Sequence, residues 1–378
     1  MNVIRIGIFV LHWFVGIGAV AGGLAGVSDP TGAAVGITVD ALERGPFRDY
    51  FVPGLFLMVV LGFGNLVAGF VFRKRPGRAA SLISLALFMV LALWILVQVY
   101  VMGVANAVWL HWLYLALGIA GAAGVTVWVC GTVPADEFEP PRVDVGPSYL
   151  FTGQIPHLLL LAVMVPGVLM LADGGLRGGY WLGIEDRYWL YFSLAVVVAH
   201  QVIVAAIFRL QLVYQVLTRL FGRWDLVAWG AMFVPLLVLR LITLAGLGLS
   251  SAGTVDAPAV VTVLVAVLLF APAAYTLWSV ARWFGLRRAL GGDHFRRRYR
   301  EMPLVTEGAF RYSSNAMYSY AFLLLWAIAI LTRSQAAIAT ALFQHAYIWV
   351  HWYCTEEPDM RLLYGETPAR REPRSTVG

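Results

Sequence analysis

The residues best suited to chemistry lie in two polar segments near the end of the chain. The first segment, residues 282–318, is rich in arginine and contains the pair Gly291 and Gly292. Arginines alone would indicate a surface facing anionic lipid, but adjacent glycines also permit a close approach of the backbone to a ligand. A polar Ser-Ser-Asn turn then precedes Tyr318. We therefore treat this segment as a candidate binding site.

The second segment, residues 351–365, reads HWYCTEEPDMRLLYG. Its adjacent carboxylates, Glu356 and Glu357, repel each other unless a cation or hydrogen-bond donors share them. A solvated helix end would tolerate the pair, so a purely structural interpretation stays open. Both polar segments are expected at the same membrane face, because a tight turn at 333–334 joins the two short apolar stretches between them.

The composition identifies the elements that must position these residues. The 378-residue chain is 60% apolar and only 13% charged, with a mean hydropathy of +0.78, whereas an ordinary soluble domain is about 25% charged. A soluble globular protein is therefore excluded. Because about 20 apolar residues span a bilayer, the sequence predicts an all-α, polytopic integral membrane protein with about ten transmembrane helices. The predicted spans are 3–26, 51–72, 79–103, 107–131, 154–172, 188–208, 226–249, 257–281, 316–332 and 336–353.

The distribution of arginine predicts the orientation of these spans. Short loops that stay in the cytoplasm carry excess Lys and Arg, and here the basic residues concentrate at 73–78, 209–223 and 282–311. Ten spans with a cytoplasmic N-terminus place all three segments inside, together with the tail residues Arg370, Arg371 and Arg374. We expect a prokaryotic cytoplasmic membrane with both termini cytoplasmic. A nucleic-acid partner is excluded, because the arginines are tied to a bilayer face.

A proline-rich and acidic stretch at 133–150 predicts a boundary within the chain. It would separate a four-span N-terminal membrane module, residues 1–132, whose role is unknown, from a six-span C-terminal module, residues 151–378. The sequence indicates no oligomeric state. It offers two scattered cysteines, too few for a cysteine-ligated metal site, so no metal is predicted.

Ionisable residues inside spans are costly, and each is therefore a functional hypothesis. Four histidines lie in or near spans: His12, His111, His157 and His200. Two of them on facing helices could ligate a haem, whereas the plainer interpretation is a histidine bonded to a neighbouring carbonyl. Arg240 lies within the seventh predicted span, where it could hold a substrate phosphate or pair with a buried acid.

The order of motifs from about 257 to 366 resembles the integral-membrane methyltransferases. This group contains the phosphatidylethanolamine N-methyltransferases and the isoprenylcysteine carboxyl methyltransferases. The matching stretches are Gly292-Asp293-His294-Phe295, Gly308-Ala309-Phe310-Arg311-Tyr312, Ser314-Asn315-Ala316-Met317-Tyr318, Glu356-Glu357 and Tyr364-Gly365. Ala316 stands where the family usually has proline, and the tail after Gly365 lacks the family's usual tyrosines.

The resemblance implies S-adenosylmethionine as cofactor and a membrane lipid as substrate, most simply a phospholipid headgroup amine. The cofactor contacts it implies are Gly291, Gly292, Arg311, Tyr312, Asn315, Met317, Tyr318, Glu356 and Glu357. Glu357 or Tyr318 would be the catalytic group that removes a proton from the amine. Arg240, Arg282 and Arg297 are unranked candidates for holding the lipid phosphate.

Three other interpretations use the same motifs. A carboxyl methyltransferase of a prenylated or other lipid-borne carboxylate would share the cofactor site. A sterol-type membrane reductase has a similar hairpin but would bind NADPH. A transporter or binding protein with a degenerate hairpin would bind neither cofactor, so its unfolding temperature should not change when either is added.

Overall fold

The protein is helical, as the composition predicts. The computed structural model describes residues 1–33, 36–42, 45–141 and 143–365, and the only strands in these ranges form one short ribbon, in which Tyr180–Trp181 pairs antiparallel with Ile184–Glu185. The α-helices are α1 (Asn2–Ser28), α2 (Phe51–Phe56), α3 (Gly64–Lys74), α4 (Arg78–Met102), α5 (Trp109–Thr132), α6 (Gln154–Asp173), α7 (Asp186–Tyr214), α8 (Val216–Phe221), α9 (Asp225–Ser250), α10 (Ala259–Ser279), α11 (Leu286–Ala289), α12 (Arg297–Arg300), α13 (Leu323–Leu331), α14 (Gln335–His351) and α15 (Glu357–Tyr364).

Eight helical segments of the described chain are long and apolar enough to cross a membrane. This confirms the all-α, polytopic fold. All ten predicted spans coincide with helix, but the last two are shorter than the rest: Met317–Leu331 is a short apolar helix and α14 has 17 residues. The predicted basic residues Arg370, Arg371 and Arg374 lie outside the described residues.

Four π-helical turns in the described residues adjoin these α-helices, and in each the backbone is wider than in an α-helix. These turns are Leu57–Phe63, Val280–Phe284, Met317–Ala321 and Trp352–Glu356. Such turns occur frequently at functional sites. Three of the four fall in the segment that carries the motifs.

The chain forms two compact units. The first is Met1–Glu137 with Thr218–Gly222, and the second is Phe138–Leu217 with Arg223–Gly378. The separate roles predicted for residues 1–132 and 151–378 stay a prediction.

Close helix packing holds the first unit together. At Gly23 of α1 a β-carbon would lie 2.5 Å from the backbone nitrogen of Met58, so only glycine permits this approach. Small residues at such contacts let membrane helices pack backbone to backbone. One buried polar pair joins α1 to α3, because His12 Nδ1 lies 2.7 Å from Asn65 Oδ1.

The core of the second unit forms where α14 packs against α6, α7 and α9. Its buried members include Trp189, Leu244, Phe343 and Tyr347. A sharp turn joins α13 to α14: Arg333 has a φ of +52°, and Ser334 Oγ accepts the Ala337 backbone N–H at 3.0 Å. This turn makes α13 and α14 a hairpin. The open ends of the hairpin adjoin the two polar segments, residues 282–318 and 351–365.

Candidate active site

The α13 and α14 hairpin brings the two polar segments together. The Met317–Ala321 turn leads into α13, and the Trp352–Glu356 turn continues α14. The Tyr318 hydroxyl donates a hydrogen bond to Glu356 Oε2. The other carboxylate oxygen of Glu356 lies 3.4 Å from Nε2 of the buried His351. Residues from both polar segments therefore form one site.

Asp293 adds a second carboxylate beside this site. Its Oδ2 accepts the hydroxyl of Tyr364 at 2.9 Å, and its charge interacts with Tyr318. Burial opposes the charge of Asp293, but hydrogen bonds from His294 and Tyr364 outweigh it and lower the pKa of the carboxyl. Asp293 therefore remains an anion. Asp293 belongs to the Gly-Asp-His-Phe motif, but its residue type and position do not predict it as a site residue.

A buried ionic network, formed by Tyr149, Arg209, His294 and Asp359, lies behind Asp293. Arg209 Nη1 lies 2.8 Å from Asp359 Oδ1, which also accepts the Tyr149 hydroxyl at 2.8 Å. His294 Nε2 lies 3.3 Å from Asp359 Oδ2, and its Nδ1 lies 3.1 Å from Asp293.

This buried ionic network fixes the backbone around the site. Arg209 Nη2 donates to the carbonyls of Thr152 and Thr355 at 3.2 Å each, and Thr355 immediately precedes Glu356. Burial disfavours a charge on His294, but the two aspartates outweigh it and raise the pKa of His294 to about 10. His294 is therefore a cation at neutral pH. The distribution of arginines predicts Arg209 within a cytoplasmic basic segment, and the structure leaves it only 1% exposed.

The structure explains Gly291 and Gly292 by packing. Gly291 has a φ of +75°, and a β-carbon there would lie 2.4 Å from the ring of Phe208. A β-carbon at Gly292 would lie 2.6 Å from the carbonyl oxygen of Arg287. Both glycines thus let a tight loop carry Asp293 and His294 into place, and a direct contact with cofactor stays a prediction.

The other residues predicted for the cofactor differ in exposure. Arg311 and Tyr312 are exposed, and Tyr312 retains 71% of its accessible surface. Asn315 is half-buried in a turn, where its carbonyl accepts the Tyr318 backbone N–H at 2.9 Å. Met317 packs on the small core around Phe310. Glu357 points to Arg361, at 2.7 Å.

Ala316, which replaces the usual proline, is fully buried and makes a hydrogen bond that proline cannot make. Its backbone N–H donates to the Ser313 carbonyl at 3.2 Å, whereas proline has no N–H. The turn before Tyr318 therefore closes without the proline.

The three arginines predicted for the lipid phosphate occupy three different environments. Arg282 is exposed at the end of the α10 span, and Arg297 forms a surface pair with Glu301 at 3.1 Å. Arg240 is buried inside the bundle, where its Nε donates to Gln344 Oε1 at 3.1 Å. The structure does not bring these three arginines together.

The comparisons with known proteins agree with this geometry. The model of the phospholipid methyltransferase family matches residues 261–367, which contain Asp293, Tyr318 and Glu356. The match confirms the resemblance predicted for the C-terminal part and supports a membrane methyltransferase that acts on lipids. No curated protein and no solved structure matches the chain.

Proposed function

We propose that this protein transfers a methyl group from S-adenosylmethionine to the headgroup amine of a membrane phospholipid. The observation that carries this proposal is the hydrogen bond between Tyr318 and Glu356. This bond joins the two polar segments, which the α13 and α14 hairpin separates in the sequence. Both residues lie in the stretch that matches the phospholipid methyltransferase family.

The side chains around this bond fit the cofactor. Asp293 and Glu356 supply carboxylates that suit an ammonium group or ribose hydroxyls, and the exposed guanidinium of Arg311 suits a carboxylate. The Tyr318 ring lies 6.1 Å from Trp349 and 5.7 Å from Trp352, between centroids. Aromatic faces attract cations. The bound cofactor would supply an electrophilic methyl group on a sulfonium cation.

We assign the remaining predicted residues to the edge of the same site. The backbone of the glycine loop, the exposed tyrosine ring and the two residues of the turn before Tyr318 would surround the cofactor. Glu357 would provide a second carboxylate near Glu356. These residues are Gly291, Gly292, Tyr312, Asn315, Met317 and Glu357.

The acceptor amine must lose a proton before it can attack, because an ammonium ion has no lone pair. We predicted Glu357 or Tyr318 as the group that removes it. The hydroxyl proton of Tyr318 points at Glu356, and Glu357 is paired with Arg361. We therefore assign the proton to Glu356, with Tyr318 orienting its carboxylate. The reaction otherwise requires mainly alignment of the amine with the methyl group.

Binding of S-adenosylhomocysteine, the demethylated product, tests the cofactor assignment. Isothermal titration of the purified full chain should give saturable binding, and Glu356→Gln should weaken it by roughly tenfold, a loss of about 1.4 kcal/mol. Glu301→Gln is the matched control, because Glu301 is an exposed carboxylate paired only with Arg297. Equal affinity in both variants would remove Glu356 from the site.

Labelled S-adenosylmethionine tests the acceptor. Incubation with separate lipid pools should place label in methylated ethanolamine lipids, and the rate should rise with pH as the neutral amine becomes available. Label in a lipid carboxylate instead would establish the carboxyl methyltransferase. Binding of NADPH in place of S-adenosylhomocysteine would establish the reductase, and binding of neither would contradict an enzymatic role.

We also propose that the site and both termini face the cytoplasm, where a soluble cofactor has direct access. The concentration of arginines from Arg282 to Arg311 supports this orientation. Single-cysteine variants in intact cells provide the measurement: a cysteine at the exposed position 298 should be protected from an impermeant reagent, and one at the exposed position 187 should react. The reverse pattern would invert the topology.

A further inference from the structure

A second group of polar side chains lies inside the helix bundle of the second unit. We call His200, Arg240, Gln344 and His351 the intramembrane cluster. All four are buried, with exposed fractions of 2%, 3%, 0% and 0%. They come from α7, α9 and α14. Two of these helices lie outside the segment that matches the methyltransferase family.

Arg240 is the charged member of the intramembrane cluster. Its Nε donates to Gln344, and its guanidinium carbon lies 5.2 Å from the centre of the Phe322 ring. Among the described residues, its Nη2 has no hydrogen-bond partner and no carboxylate forms an ion pair with it. An unpaired buried cation is strongly destabilising. The position therefore lacks an anion.

The two histidines also have unused hydrogen-bonding atoms. Neither ring nitrogen of His200 has a partner in the described chain, although the ring packs 4.7 Å from Phe233. His351 has no partner in hydrogen-bond geometry either, and only its Nε2 approaches Glu356. Electrostatic interactions connect His200 to Arg240 and to His351. Buried polar atoms without partners are rare, so their concentration around one arginine indicates a ligand.

The position of the intramembrane cluster indicates where that ligand comes from. At 1.5 Å per residue, Arg240 lies roughly 22 Å along α9 from Asp225, well inside the span. Its neighbours Leu239 and Ile242 are exposed apolar residues, so α9 meets the lipid at the level of Arg240. The acyl chains of a lipid already occupy the hydrocarbon and can accompany its acidic group to this depth, whereas a free aqueous ion would have to enter the hydrocarbon alone.

We propose that the intramembrane cluster binds the acidic group of a membrane lipid. Arg240 provides the charge, His200 and His351 provide further donors, and Gln344 orients the guanidinium. Because His351 also approaches Glu356, a lipid held here lies beside the candidate active site. The identification of this lipid as the methyl acceptor rests on the proposed function, but the binding site itself does not.

The shared chemistry of the ligand is a lipid-borne oxyanion, and two probes distinguish its source. Dioctanoyl phosphatidylethanolamine carries a phosphodiester, decanoate carries a carboxylate, and dioctanoylglycerol has the same chains as the first probe without an acid. Titration of the purified full chain, followed by tryptophan fluorescence, should show saturable binding of one of the acidic probes and none of dioctanoylglycerol. The acidic probe that binds identifies the source.

The variants test whether Arg240 is responsible. Arg240→Gln should weaken binding of the acidic probe by roughly tenfold or more, and His200→Leu should weaken it less. Arg187→Gln is the matched control, because Arg187 is an exposed arginine on the same helix as His200. Binding of S-adenosylhomocysteine should persist in Arg240→Gln, which shows that the variant is folded.

Three results would overturn the proposal: no binding of either acidic probe, equal binding of dioctanoylglycerol, or unchanged binding in a folded Arg240→Gln. A protein that binds the acidic lipid in this way but never binds S-adenosylhomocysteine would contradict the proposed function while supporting the intramembrane cluster. The wild-type comparison of acidic and neutral probes decides the question even if Arg240→Gln does not fold.

Discussion

The two units of the chain differ in what their membrane helices bury. In the described part of the first unit, the buried polar side chains include no arginine and no carboxylate; they are His12, Asn65, Ser81, Ser84 and Thr218. The described part of the second unit buries two arginines, Arg209 and Arg240, and three aspartates, Asp186, Asp225 and Asp359. Both units have similar apolar helices, so hydropathy does not distinguish them.

This difference shows how the two units are stabilised. The first unit relies on apolar packing and on glycine contacts such as that of Gly23 with Met58. The second unit contains buried charges, which are energetically unfavourable and commonly mark functional sites in membrane proteins. In the buried ionic network those charges pair with one another, whereas in the intramembrane cluster Arg240 has no pairing acid among the described residues.

The largest expected effect is the loss of Asp359. Asp359→Leu leaves Arg209 and His294 as buried cations without their common carboxylate, so the free energy of unfolding should fall by about 3–5 kcal/mol. Unfolding by denaturant in detergent micelles measures it. Glu301→Gln, at a carboxylate with 63% exposed side-chain surface, should change stability by less than about 1 kcal/mol. An equal loss of unfolding free energy in the two variants would contradict the prediction that buried ion pairs stabilise the protein more than exposed ones.

The charge on His294 in the buried ionic network should make the stability of the protein depend on pH. Its pKa is raised from 6.5 to about 10 by Asp293 and Asp359, beside Arg209. A raised pKa stabilises the fold fully below pH 6.5, and the contribution is lost as pH rises towards about 10. Unfolding temperatures of the wild type should therefore fall across this range. His294→Gln should show a flatter profile; parallel profiles would mean that His294 is not charged.

A smaller effect is expected in the first unit. Asn65→Leu removes the partner of His12 Nδ1 and should cost about 1–3 kcal/mol. The double variant His12→Leu with Asn65→Leu should recover most of this loss, because apolar residues replace both partners. Affinity for S-adenosylhomocysteine should not change in either variant. A loss of affinity in a folded variant would mean that residues 1–132 contribute to the site.

The sequence was sufficient to predict the helices, because the length and apolarity of the segments determine where a chain can cross a bilayer. It also predicted that the segments containing Tyr318 and Glu356 meet, since a tight turn at Arg333 fixes the hairpin. Both predictions depend on local sequence.

The buried ionic network could not be predicted from the sequence. Arg209 stands near the end of an apolar span, where arginines commonly face the cytoplasm, and nothing local distinguishes it from Arg219. Its partner Asp359 follows the adjacent Glu356 and Glu357, and the motif in the sequence favours those two carboxylates over Asp359. Only the packing of α7 against the loop with His294 places these charges together. Residue type and spacing around Arg209 therefore carried no signal of its burial.

The π-helical turn Trp352–Glu356 has a consequence for how this protein could change over evolutionary time. A π-helical turn is equivalent to one residue inserted into an α-helix, and each residue of an α-helix rotates the following side chains by about 100°. Deleting one residue between Trp352 and Thr355 would restore a regular helix and rotate Glu356 away from Tyr318, while leaving the apolar face of α14 in place. Membrane insertion and the arrangement of the site therefore depend on different parts of one continuous helix, so that a single-codon deletion could abolish one and spare the other.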